Sequence, residues 1–407
     1  MKKSQVSPWC IISMASIPLV MTLGNSMLIP VLPIFEEKAD ISSFQSSMVI
    51  TSYSVASVFL IPVAGYLSDH IGRKKVILPS LILAFIGGLI AGFASWKLDN
   101  PYMWIIIGRI IQGIGASGAM PIILPLVGDL YVDDDEKASS CLGVIETSNT
   151  FGKVLSPILG SLFASIIWFL PFFSISFFGL ISILLTIFFI KSPKIRKKPP
   201  KFRKFIKETK KTLKKEGKWL FVVFMLGAFV MLVLFGVLFF LSDSLEKTHH
   251  LKGVSKGFVL AIPLLLLCIS SFMTGRKIKG DISIMKLVIC LSLAAISASI
   301  IFVGLTKERL GMLLVVSSIL GIAIGAMLPS LDAVITENIE KEKRGTITSL
   351  YSSARFIGVA AGPPLMSILM KDHLNTSYFI AAVLGLLLLF LVLWGMRKQN
   401  MPAGKTP

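Results

Sequence analysis

Besides Arg109, four ionisable residues stand within long apolar runs of this chain: Glu146, Lys153, Asp332 and Arg355. A charge in such a place is costly and is kept for pairing, for ion or substrate pathways, or for proton relay. Glu146 is the acid nearest the middle of a run. Burial favours the protonated form of a carboxyl and a nearby cation favours the ionised form, so an acid that is alternately covered and opened takes up and releases a proton. Lys153 shares its helix face at i, i+7, about 10.5 Å along the axis, too far for an easy direct pair. Glu146 is therefore either a proton-coupling acid or the fixed partner of a cation, with Lys153 and Arg355 as the candidates. Asp332 lies nearer the end of its run, where it serves proton coupling or is simply solvated. Arg109, Gln112 and Gly113 stand at i, i+3 and i+4, on one helix stripe. Arg109 falls about 10 Å from the nearer helix end. At that depth a guanidinium costs roughly 2.5–3.5 kcal/mol on insertion scales, so it faces the bundle interior unless its long side chain snorkels outward.

A second group is Gly65-Tyr66-Leu67-Ser68-Asp69-His70-Ile71-Gly72-Arg73-Lys74-Lys75. Gly65 lets two helix backbones approach, and Gly72 allows a tight turn. Asp69 can accept hydrogen bonds from a helix N-terminus, where the dipole favours an anion, and Arg73 then needs an anionic partner. An ordinary cytoplasmic loop would explain the lysines but neither the glycines nor Asp69.

The elements that position these residues are twelve apolar runs, near 9–33, 44–67, 76–96, 102–130, 138–163, 166–190, 219–241, 255–275, 284–305, 310–336, 345–370 and 377–396. Each approaches the roughly 20 residues needed to cross a hydrocarbon core. With 54% hydrophobic and 15% charged residues and a mean hydropathy of +0.81, the chain is an all-α integral membrane protein. Residues 1–190 form one six-helix bundle, 191–218 a basic linker, and 219–407 a second bundle with a short tail.

The net charge of +19 is not a nucleic-acid signal, because its placement follows the membrane. Alternating the loops puts 30 of the 41 lysines and arginines on one side and 8 on the other, which makes the richer side, with both termini, cytoplasmic. The linker carries 14 of them against Glu208 and Glu216. It is a solvated connector or, from the spacing of Phe202, Phe205, Ile206 and Leu213, a basic amphipathic helix on anionic lipid. The run after Met1-Lys2-Lys3 continues to Pro33 without a convincing cleavage site and reads as the first helix. Cys10, Cys141, Cys268 and Cys290 have no metal-like spacing and read as packing residues. The halves repeat: Gly113, Ile114, Pro121 and Asp129 fall on Gly321, Ile322, Pro329 and Glu337, and after a two-residue shift Lys137, Gly152 and Pro157 fall on Lys343, Gly358 and Pro363. Parallel repeats of this kind are typical of transporters that hold substrate between two halves.

These residues resemble the major facilitator superfamily, in its twelve-helix drug:proton antiporter branch, over almost the whole chain. The family's G-x-L-x-D-R-x-G-R-K is matched by Gly65, Leu67, Asp69, Gly72, Arg73 and Lys74, with His70 in place of arginine. The resemblance implies that Arg73 meets Asp129 in a latch that holds the halves together on the cytoplasmic side. In the second half, Gly275-Arg276-Lys277-Ile278-Lys279-Gly280-Asp281 puts Lys279 where the aspartate belongs, which argues against a second latch. Arg109, Gln112 and Gly113 reproduce R-x-x-Q-G, whose arginine the family associates with proton transfer. The antiporter signature G-x-x-x-G-P-x-x-G-G survives as Gly152, Pro157 and Gly160, with Ser156 and Ser161 replacing glycines, and helix eleven carries Gly358, Gly362 and Pro363. Such small-residue stripes also serve packing alone. Gly24 to Pro33 resembles the family's L-x-x-P ending of helix one.

The implied protein is a monomeric, proton-coupled exporter of small amphipathic compounds in a bacterial plasma membrane, working by alternating access, with a proton gradient and no cofactor. Because Arg109, Lys153 and Arg355 outnumber Glu146, an anionic substrate such as a siderophore is the alternative. A nutrient:proton symporter shares the fold, and a non-transporting membrane sensor is the rival of another class. No nucleotide-binding motif supports an ATP-driven pump or an enzyme.

Overall fold

Apolar stretches broken by single Gly, Pro and Ser residues fold here as twelve helices among the described residues. The computed structural model describes residues 7–131, 135–190, 202–278, 282–306, 309–339, 341–372 and 374–395, and the regular elements among them are all helical. Helix α1 runs over Pro8–Ser26 and continues through a tight turn, Ile29–Val31, into Leu32–Lys38. The next are α2 (Ser43–Ile71), α3 (Arg73–Lys97), α4 (Tyr102–Ala119, continued by Ile123–Leu130), α5 (Asp135–Ile166) and α6 (Leu170–Phe189). The second half has α7 (Phe202–Lys247), α8 (Gly253–Lys277), α9 (Ile282–Thr306), α10 (Leu310–Asn338), α11 (Lys341–Asp372) and α12 (Leu374–Gly395).

Ten of these, excluding α5 and α12, are long and apolar enough to cross a membrane among the described residues. Helix α5 falls short because Glu146, Asn149 and Lys153 interrupt it, and of α12 the stretch Val383–Leu393 is apolar. Outward apolar residues such as Ile86 and Phe93 on α3, Phe177 and Phe188 on α6, Leu287 and Leu291 on α9, and Leu387 and Phe390 on α12 form the kind of surface that only lipid leaves uncovered without penalty.

Most helices extend past the apolar runs, because backbone hydrogen bonds continue wherever side chains can be solvated. The motif loop shrinks accordingly to Gly72, with φ 103° and ψ 145°, between α2 and α3. That left-handed φ explains the glycine. Ser42 opens α2 with a reciprocal cap: the Gln45 N–H donates to its hydroxyl at 3.2 Å, and its own N–H donates to the Gln45 side chain at 2.9 Å. Of the basic linker, residues 202–216 are the helical start of α7, which breaks at Gly217 with φ 43° and ψ −113°. Residues 191–201, Lys279 to Asp281 of the second motif loop, and the terminal residues 1–6 and 396–407 lie outside the described residues.

The chain divides into two compact units, Met1–Pro200 and Lys201–Pro407. Inside the first, α1 packs on α5 and α6, α2 on α4, and α3 on α4 and α6. Inside the second, α7 packs on α11 and α12, α8 on α10, and α9 on α10 and α12. The internal order is the same, and the matched glycines explain how. A Cβ on Gly113 would lie 2.1 Å from the Tyr53 carbonyl oxygen of α2, and one on Gly321 2.3 Å from that of Pro263 in α8. Gly160 faces Met27 O at 2.0 Å and Gly358 faces Ala228 O at 2.0 Å by the same measure, and Gly362 faces Leu232 O at 2.7 Å. Gly160→Ala or Gly358→Ala is therefore expected to lower stability by about 1–3 kcal/mol through overpacking, seen as a lower thermal midpoint in detergent. Gly143→Ala, where a Cβ meets nothing within 4 Å, should leave the midpoint in place.

Candidate functional site

Arg73, the first residue of α3, gathers the motif. Its Nη1 donates to Asp69, one turn back on α2, and to Ser68 Oγ at 2.7 Å, while its Nε donates to Asp129 Oδ2 at 2.9 Å. The expected Arg73–Asp129 contact is present. Asp69, however, meets the guanidinium itself rather than a helix N-terminus, because Gly72 folds α3 back far enough for Arg73 to reach it. The cluster joins α2, α3 and α4 of one unit. Lys74 adds a contact the sequence did not suggest: its Nζ donates to the carbonyls of Ile187 and Ile190, both at 2.8 Å, and so caps the end of α6. Gly65 offers its carbonyl to the Ser68 hydroxyl at 2.8 Å.

Arg109 is fully buried and faces the interior of its bundle. Its Nε donates to Val49 O at 2.8 Å, and its Nη1 donates to Gly24 O at 2.8 Å and Gln112 Oε1 at 2.7 Å. Nη2 lies 3.4 Å from Asn25 Oδ1, and the guanidinium carbon stands 4.5 Å from the centre of the Tyr53 ring. One planar fork thus ties α4 to α1 and α2, through neutral acceptors and a ring face. Snorkelling is excluded by this geometry. Gly113 beside it lets α4 lie against α2, and its carbonyl accepts the Ser57 hydroxyl at 2.9 Å.

On α5, Glu146 is exposed, and its Oε1 accepts from Asn149 Nδ2 at 3.2 Å. Asn149 is buried and accepts in turn from Thr22 of α1 at 2.6 Å. The carboxylate is thus steered by a neutral amide, not by Lys153, which is half-buried two turns on. Pro157 lies inside the same continuous helix, and a Cβ on Gly152 would come within 3.2 Å of Leu19 on α1. In the second unit, Asp332 of α10 and Arg355 of α11 face each other, Nη1 to Oδ1 3.9 Å.

Sequence comparison supplies the remaining evidence. The family model described as Major Facilitator Superfamily matches residues 14–317 and 287–407. The chain belongs to that superfamily. It is 51% identical over 385 residues to the "Bacillibactin exporter" of Bacillus subtilis (strain 168), covering 94% of this chain and 95% of that one. It is 24% identical over 390 residues to "Multidrug resistance protein 2" of the same organism, covering 93% of each. Among solved structures, a D-xylose-proton symporter superposes with a TM-score of 0.77 at 15% identity, over 96% of this chain and 98% of that one, which supports the fold alone.

For a superfamily member, a multi-pass membrane transporter and not an enzyme, the buried polar contacts matter as much as the motif. Sequence reasoning missed the buried Lys256 of α8, whose Nζ lies 2.6 Å from Glu246 Oε2 at the end of α7, and Lys247 beside Asp243 at 2.6 Å. Thr22 and Asn149 were missed too, since neither belongs to a charged pattern.

The Arg73 cluster predicts a split between stability and rate. Asp69 and Asp129 are each nearly half exposed, so Asp69→Asn should cost at most about 1 kcal/mol of stability, because Ser68 and Asp129 still hold the guanidinium. Turnover should fall several-fold with substrate affinity unchanged, measured as flux and binding on the same preparation. A loss of affinity with turnover intact would contradict a conformational role.

Proposed function

We propose that this protein exports a siderophore of the bacillibactin type across a bacterial plasma membrane, driven by inward proton flow. The observation that carries this reading is the 51% identity to a bacillibactin exporter across nearly the full length of both chains. The distribution of deep charge agrees with it. Arg109 is committed to carbonyls and a ring, and the half-buried cations Lys153 and Arg355 have the charge that an anionic substrate calls for. The broader expectation of amphipathic drugs rests on relatives of about 24% identity and is the weaker one. Glu146 is the acid we assign the coupled proton, with Arg109 tying α2 and α4 to α1, the helix that packs on α5, and Asp332 is the second candidate. The Asp69–Arg73–Asp129 cluster ties α2, α3 and α4 within the first unit, not one half to the other as the resemblance implied, and its proposed role is to hold those three helices in register as the transporter changes conformation. The excess of Lys and Arg on one side supports cytoplasmic termini.

Inside-out vesicles with an acidified lumen test the substrate. Bacillibactin should accumulate in vesicles that contain the protein and leak away when a protonophore collapses the gradient, while ethidium uptake stays at the level of empty vesicles. Accumulation of ethidium without bacillibactin would replace this reading with a polyspecific one.

A further inference from the structure

Two buried polar residues outside the matched motifs stand between Glu146 and Arg109. Asn149, one turn beyond Glu146 on α5, donates from Nδ2 to Glu146 Oε1 at 3.2 Å and accepts the Thr22 hydroxyl of α1 on Oδ1 at 2.6 Å. Because the Thr22 proton takes Oδ1, the amide has a single orientation, with its N–H groups toward the carboxylate. A Cβ on Gly152 would come within 3.3 Å of Thr22 Cβ, so that glycine keeps α5 close enough to α1 for the Thr22 contact. On α1, Thr22 is followed directly by the stretch that accepts from Arg109, through Gly24 O and Asn25 Oδ1. Hydrogen bonds and a short piece of α1 thus run from an exposed acid to a fully buried arginine. Among the described residues of this unit, the elements packed on α5 bring few charges to it. Neither α1 as far as Val31 nor α6 contains an acid, a lysine or an arginine, and the end of α4 has only Asp129, which Arg73 holds. On α5 itself Lys153 lies two turns on.

The strength of this chain depends on Glu146. A hydrogen bond to an ionised carboxylate is about twice as strong as one between neutral groups, and hydrogen bonds in series polarise one another. Ionised Glu146 therefore draws Asn149 and Thr22 tight and holds α5 on α1, whereas protonated Glu146 slackens both contacts. We infer that Asn149 and Thr22 are positioning residues for proton coupling, which pass the charge state of Glu146 to the stretch of α1 that Arg109 holds. A cation at position 149 would bind the carboxylate permanently; a neutral amide leaves the proton free to come and go. This inference rests on the reading of Glu146 as the acid that takes the coupled proton, and names the residues through which that proton acts on the helices.

The test takes two measurements on proteoliposomes of the full-length protein: bacillibactin flux driven by a pH gradient, and bacillibactin exchange at equal pH, in which no net proton crosses. Asn149→Ala should lose gradient-driven flux about tenfold, the factor that one lost hydrogen bond to a charged group implies, and keep exchange within about twofold. Thr22→Val, which keeps the side-chain shape but releases the amide, should show the same split more weakly, and Thr22→Ser should recover the parent's ratio of the two fluxes. A purely structural role would lower both fluxes together with the thermal midpoint. Parallel losses in Asn149→Ala and Thr22→Val, or gradient-driven flux at the parent's level in both, overturn the inference. Should Asn149→Ala not fold, Thr22→Val and Thr22→Ser decide by the same criterion. Glu146→Gln separates the two levels. If it loses gradient-driven flux while the Asn149 and Thr22 variants keep theirs, the relay fails and the assignment of Glu146 stands; if it keeps that flux, the assignment of Glu146 fails and the relay falls with it. If the parent moves ethidium and not bacillibactin, the same two measurements with ethidium decide.

Discussion

Arg109→Ala is expected to abolish gradient-driven transport and to destabilise the N-terminal unit by about 2–5 kcal/mol, while membrane insertion stays near normal. Insertion is spared because the change makes α4 more apolar. Stability is not spared, because the substitution removes four donated contacts, to Val49, Gly24, Gln112 and Asn25, and a large, fully buried side chain. Hydrogen bonds from a charged donor contribute roughly 1.5–3 kcal/mol each, and the emptied space adds a cavity cost. The loss is offset in part because a buried charge no longer has to be desolvated, which keeps the total below the simple sum. Arg109→Lys should recover only part of either property, since an ammonium is a point charge without the planar fork that reaches α1 and α2 together. Thermal midpoint and flux on one preparation check both effects. Full activity with an unchanged midpoint in the alanine form would show that Arg109 neither holds α1, α2 and α4 together nor serves transport.

Glu146→Gln should fold and bind substrate, yet lose transport driven by a pH gradient. Glutamine keeps a side-chain oxygen for the Asn149 amide but cannot exchange a proton. The competing role, fixed partner of a buried cation, predicts the opposite stability: breaking a buried pair costs about 3–5 kcal/mol, and Lys153→Met or Arg355→Met would then restore the loss. The exposed carboxylate and its neutral partner favour a stable single variant. An unstable Glu146→Gln rescued by either second change would assign the residue to structure.

The legible and illegible parts of this protein divide by whether a residue's partner is close along the chain or follows a repeated spacing. Gly72 and Arg73 were readable because a backbone turn and a cation in need of an anion demand particular residue types, whereas Asp129 came only from the family resemblance and the partner of Asp69 was misassigned to a helix N-terminus. The glycine stripes were readable as close-packing surfaces, and the helix order followed from hydropathy. Asp332 and Arg355 were each visible as deep charges, but their pairing depends on how α10 meets α11, which no local spacing encodes. Lys256 and Glu246 were hidden for another reason: the Ser-Asp-Ser run at 242–244 ends the apolar stretch, although α7 continues for another turn to Lys247.

Obligatory exchange of protons for a siderophore is tested by recording both fluxes at once. Proteoliposomes containing the purified protein, a trapped pH dye and an imposed gradient would report lumenal pH and bacillibactin movement together. Adding bacillibactin on one side should drive protons the other way, both signals should rise and fall with the gradient, and both should vanish in Arg109→Ala and Glu146→Gln. Bacillibactin movement that ignores the pH gradient, or proton movement in the same direction as the siderophore, would contradict it.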